Sequence, residues 1–250
     1  MGGFALEQLR CVKLVRSDGL RTHANPRTYR TMDGALEETI GAAMQLLAAC
    51  ILVALFYLGH RLISSIRARE ATPFRSWIGL VKPTDSLKGR LVLVVCLALF
   101  SVVMSALERL LGFSEALSEL VQTGPVAQLG QIEPTGAAML AGVSYAFVRT
   151  AGSEELLIRG LLYKRLITCF GVGPANLIQA LLFTLIHNGL IVLAMPDAPW
   201  WLHADIFLRI FVLSWVVGWY MERRDNGSLL MPWICHGIAN LLTFLSFFLG

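Results

Sequence analysis

Charge is scarce in this chain. Asp, Glu, Lys and Arg make up 15% of its 250 residues, against 56% hydrophobic. So little charge excludes an ordinary water-facing domain and points to a bilayer. Period-2 alternation is also missing, which excludes a transmembrane β-barrel and leaves helices to satisfy the backbone in hydrocarbon. There is no internal repeat, low-complexity tract or second soluble domain. The five cysteines, Cys11, Cys50, Cys96, Cys169 and Cys235, contain no CxxC pair and read as small core side chains. No HExxH and no GxGD element occurs, and "GFS" at Gly112–Ser114, the nearest serine-nucleophile motif, falls in an external connector.

What is present is a set of long apolar runs. A hydrocarbon core of about 30 Å takes about 20 apolar residues as helix. Six runs qualify: 40–59, 91–107, 136–153 continuing to about 162, 174–195, 206–221 and 229–249. The third is too long for one upright span, so it must tilt or project. The fold class expected is all-α: a polytopic membrane helix bundle of about six transmembrane helices with the site in its interior.

Connector charge orients the bundle. Residues 61–90 carry seven Lys/Arg against Glu70 and Asp85, whereas 108–133 carry Arg109 against four acids. The positive-inside rule puts the first on the cytoplasmic side, together with Lys164/Arg165 and Arg223/Arg224. "PDAPWWLHAD" falls outside. "FRSWIGL" fits a short interfacial helix with Trp77 at headgroup level, and the basic connector fits anionic lipid. Residues 1–39 form a polar N-terminal segment and 40–250 the transmembrane domain. Residues 1–31 hold six Lys/Arg where this orientation puts the outside. Either Met32 is the true start or a polar tail is translocated against a statistical rule.

The apolar run is broken by "RTAGSEELLIRGLLYKRL". A mid-bilayer carboxylate costs about 2.5–3.5 kcal/mol, so such groups face polar cavities or partners. Glu154 and Glu155 point about 100° apart on a helix and should have different jobs. Arg159 follows Glu155 at i,i+4, the spacing of a carboxylate–guanidinium pair. Glu155 then stays ionised, and Glu154 is the candidate general base, although the roles could be exchanged. "FTLIHNG" places His187 one turn after Phe183, and "MPWICHGIAN" places His236 and Asn240 one turn apart on one face. A lone intramembrane His or Asn is more often an interhelical hydrogen bond. Three such groups on three helices supply the base, imidazoles and amide donor of a water-activating hydrolase.

In order and spacing, EExxxR at Glu154–Arg159, FxxxH at Phe183–His187 and HxxxN at His236–Asn240 resemble the glutamate-type intramembrane protease family (CPBP). Its members include CAAX prenyl endopeptidases and bacteriocin-processing or immunity proteins. "SWIGL" at Ser76–Leu80 is similar to its weaker upstream element. The resemblance implies peptide-bond hydrolysis within the bilayer, with Glu154 activating water helped by His187, His236 and Asn240 stabilising the oxyanion, and Glu155 and Arg159 in support.

No cofactor is expected, although a glutamate with the two histidines would make an acceptable His₂Glu zinc set with a fourth position open for water. Against zinc, no carboxylate in the sequence clearly positions either imidazole. Expected partners are the lipid bilayer and a membrane-associated peptide or protein substrate, with no nucleic acid. That substrate is a leader peptide, a C-terminal sorting tag or a CAAX-like terminus, in a prokaryotic inner membrane. The rivals are a non-catalytic immunity or binding scaffold of the same fold and a proton-coupled transporter, the latter disfavoured by the lack of an inverted repeat.

Overall fold

The computed structural model describes residues 32–112 and 136–248, and these are helical with no strand among them. The questions about residues 1–31, Cys11, Ser114 of "GFS" and most of the external connector lie outside that range. Helix α1 spans Met32–Ile66, α2 Phe74–Ile78 and α3 Leu87–Leu111. A continuous helix over 136–170 is α4; α5 is Val172–Ala194, α6 Trp200–Arg223 and α7 Leu230–Phe248. Among the described residues, four stretches are long and apolar enough to cross a membrane: Ala35–Ile66, Leu87–Leu111, Val172–Ala194 and Trp200–Arg223, with Leu230–Leu245 a shorter apolar helix.

Local chemistry sets the helix limits. Gly79 closes α2 and Gly112 closes α3 with φ of 88° and 75°, the left-handed conformation that glycine adopts without a Cβ penalty. Ser86 caps α3 by accepting the Gly89 amide at 3.1 Å. Gly171, at φ 76°, separates α4 from α5.

Helix α4 is the central element. It is about 50 Å long at helical rise, more than one bilayer core, as its run length predicts. It is not plain α-helix: Ser144–Gly152 and Leu156–Tyr163 are π-helical, on either side of Ser153–Glu155. Such widened turns concentrate at functional sites. Helix α1 lies against α4 through Ala35, Ala42 and Ala49, buried small residues seven apart that let the backbones approach. Leu36, Ile40, Met44, Leu47, Ile51 and Leu55 are exposed on its other sides, as lipid-facing residues are. Helix α7 meets α4 by glycine contacts: Cβ atoms on Gly142 and Gly237 would run into the rings of Phe244 and Phe147. The Trp233 indole N–H also donates to the Phe147 carbonyl at 2.8 Å.

The connectors read as cytoplasmic gather at one end of the bundle. Gly79 O accepts the Leu229 amide at 3.0 Å, and Lys164 pairs with Glu222 at 2.6 Å. Asp225, fully buried, accepts the Asp85 amide at 2.9 Å. The Tyr220 hydroxyl and the Ser86 amide both donate to Asp85 at 2.7 Å. With Arg224 nearby, they hold this carboxyl below the usual carboxylate range.

Trp77 of α2 is enclosed by protein: it is 4% exposed, with the Arg165 guanidinium 3.9 Å above its ring and Tyr57 against its edge. Packing of this large ring fixes α2 beside α1 and α4. One expectation needs correction: Cys50, Cys96 and Cys169 are exposed rather than core side chains, because alanines and glycines take the close-contact positions between helices, whereas Cys235 is half-buried against Leu93, Tyr220 and Met231.

Candidate functional site

Six residues were singled out from the sequence, and five of them meet between α4, α5 and α7. Glu155 and Arg159 form the i,i+4 ion pair, with their side chains 3% and 4% exposed. The same Glu155 Oε1 lies 2.8 Å from His236 Nδ1. Glu154 points elsewhere. Its side chain is 32% exposed, and its Oε2 lies 3.9 Å from His187 Nε2 and 3.8 Å from His236 Nε2. His236 therefore faces both glutamates, one with each ring nitrogen. The two carboxylates differ as adjacent helical residues should: one is enclosed and paired, the other opens into the space between two imidazoles.

The hydrogen bonds decide what each imidazole offers that space. His187 Nδ1 is 2.8 Å from the Phe183 carbonyl, which can only accept. A proton is therefore on Nδ1, so that in the neutral form of the ring Nε2 turns a lone pair toward Glu154. Phe183 packs against His187 with centroids 4.4 Å apart and the rings inclined at 57°, and it lies beneath the Arg159 guanidinium. The Phe of FxxxH thus supplies both the carbonyl and a ring that walls the site.

Glu154 Oε2 is buried and has no hydrogen-bond partner. Separations of 3.8 and 3.9 Å are too long for direct hydrogen bonds and suit a bridging water. A tetrahedral zinc with bonds of about 2.0–2.1 Å needs ligand atoms about 3.3–3.4 Å apart. Both separations from Glu154 Oε2 are wider than that, and among the described residues no three His, Cys, Asp or Glu side chains meet at metal-binding spacing. One argument made against zinc does fail. Glu155 is the carboxylate that orients His236, and the sequence hid it because the contact joins residues 81 positions apart.

Asn240 sits one turn beyond His236 and donates to Thr150 Oγ1 at 2.7 Å. Thr150 lies one turn before Glu154, and its hydroxyl bonds back to the Ala146 and Tyr145 carbonyls at 3.0 Å. Sequence reading passed over Thr150. It also passed over Asn176, Gln179 and Ser214, all fully buried behind Arg159. One signal was available: Asn176, Gln179, Phe183 and His187 recur at steps of three and four, one face of α5. A third network ties α1 to the site. Arg149 pairs with Glu38 at 2.8 Å, and Gln45 donates to Ser153 Oγ at 2.9 Å beside the glutamates.

Comparison with known proteins gives one family match, Type II CAAX prenyl endopeptidase Rce1-like, over residues 136–242. Neither curated proteins nor solved structures give a match. The matched segment contains EExxxR, FxxxH and HxxxN, and it supports a CAAX-type intramembrane protease. Over residues 136–242 the chain is thus similar to the Rce1-like family of type II CAAX prenyl endopeptidases, the family its three motifs resemble.

Proposed function

We propose that this protein is an intramembrane endopeptidase that hydrolyses a peptide bond of a membrane-associated substrate with water activated by Glu154. The observation that carries this reading is the partnerless Glu154 Oε2 facing two imidazole Nε2 atoms across a gap that fits one water. Water there donates one hydrogen to Glu154 and the other to the lone pair of His187. Its oxygen then attacks the scissile carbonyl as Glu154 takes the proton.

Negative charge develops on the carbonyl oxygen. Asn240 uses one amide hydrogen on Thr150 and keeps the second for that oxygen. His236 contributes a donor from Nε2 in its imidazolium form, with its ring oriented by Glu155. Collapse breaks the C–N bond, and the proton held by Glu154 passes to the leaving amine. Glu155 and Arg159 touch no substrate and hold the ring in place.

The cation excess at one end of the bundle supports an orientation with those connectors inside, in keeping with a prokaryotic inner membrane. The substrate is a tethered leader peptide, a C-terminal sorting tag or a CAAX-like terminus. The chemistry needs no metal, so activity should survive exhaustive chelation. Comparing membrane-protein termini between hosts carrying wild type and Glu154→Gln at equal abundance tests the whole reading. Termini that vanish in the variant name the substrate class and the cleaved bond. An unchanged set of termini, with the wild-type phenotype kept, means a binding scaffold.

A further inference from the structure

Behind the pocket runs a single file of buried polar groups. Arg159 Nη2 donates to Ser214 Oγ at 3.1 Å, and Ser214 Oγ donates to Gln179 Oε1 at 3.2 Å. Gln179 Nε2 donates to Asn176 Oδ1 at 2.9 Å and to the Ser214 carbonyl at 3.2 Å. Asn176 Nδ2 ends the file on the Trp215 carbonyl at 2.8 Å. Its direction is forced by its ends, since a guanidinium can only donate and a backbone carbonyl can only accept. Every amide and hydroxyl between them must therefore turn its oxygen toward Arg159.

Such a file costs desolvation that apolar packing of α5 on α6 would avoid. Ser214 carries the strongest sign of a purpose beyond packing. Hydroxyls elsewhere in these helices bond back to the carbonyl one turn earlier: Ser101 to Leu97, Thr184 to Ala180 and Thr243 to Ala239. Ser214 instead lies between Arg159 and Gln179. Gly218 makes the arrangement possible, because a Cβ there would collide with the Asn176 side chain and come within 2.8 Å of Gln179 Nε2.

From this file we infer that Ser214, Gln179 and Asn176 are positioning residues for the candidate active site. Aligned dipoles in a low-dielectric interior solvate the guanidinium and reinforce one another. They fix where Arg159 lies; Arg159 fixes the Glu155 carboxylate, and Glu155 fixes the His236 ring. The inference deepens the hydrolase reading and rests on it for its meaning, but its test does not need turnover.

The test is the ring ¹⁵N spectrum of histidine-labelled full-length protein in bicelles, with His236 assigned by its loss in His236→Gln. Ser214→Ala should move the His236 resonances while leaving those of His60 and His203 in place, and Ser214→Thr, which keeps the hydroxyl, should restore the wild-type positions. Should Ser214→Ala fail to fold, Gln179→Met breaks the file at its next member at similar volume and should move the same resonances. A His236 spectrum identical to wild type, with only the melting temperature lowered, would overturn the inference and leave the file as interhelical glue. Failure of the protease reading would appear instead as unchanged membrane termini, whatever the spectrum does.

Discussion

Arg159→Leu should be far more damaging than its size suggests, and more damaging alone than combined with Glu155→Gln. The wild-type pair is almost fully enclosed, with both side chains under 5% exposed. Removing one member of a buried pair leaves the other charge uncompensated, at a cost of about 3–5 kcal/mol. For a chain of this size that corresponds to a fall in melting temperature of about 6–20 °C, at about 2–4 °C per kcal/mol. The double variant removes both charges and keeps a hydrogen-bonding amide beside His236 Nδ1. It should recover about 1–3 kcal/mol relative to additivity, the size of coupling expected between directly bonded groups. Thermal unfolding of the three variants and wild type in one detergent gives the four corners of the cycle. Strictly additive losses would refute the reasoning, because they would mean that the two charges do not depend on each other.

Thr150→Val should release Asn240 at unchanged side-chain volume, lowering kcat about tenfold with KM within about twofold, whereas Thr150→Ser should stay near wild type. Gly79→Ala should cost about 1–3 kcal/mol in thermal unfolding, since φ is +88° and the new Cβ would stand 2.9 Å from the Gly227 carbonyl. Asp85 gives a pH dependence of defined sign. Its carboxyl is held below the unfolded value of about 3.9, so its contribution is present above that pH and is lost on acidification through the folded value. Tyr220→Phe removes the main cause of this depression, and its melting temperature should converge on that of wild type as the pH is lowered; a difference that stays constant would refute the assignment.

Composition and run length by themselves determined the membrane helix bundle, because a hydrocarbon solvent leaves the backbone few other solutions. The chemistry-bearing residues were also legible, since a charged or imidazole side chain stands out in an apolar helix for its insertion cost. The Glu155–Arg159 pair followed from spacing along one helix. Contacts between helices could not be read in that way. That Glu155 orients His236, that Asn240 leans on Thr150 and that Ser214, Gln179 and Asn176 stand behind Arg159 depend on which faces of α4, α5, α6 and α7 meet. Those faces are selected by small residues such as Gly142, Gly218 and Gly237, whose absent side chains set how closely two helices approach. In the sequence a glycine is only a gap; its partner across that gap exists only once the bundle has closed.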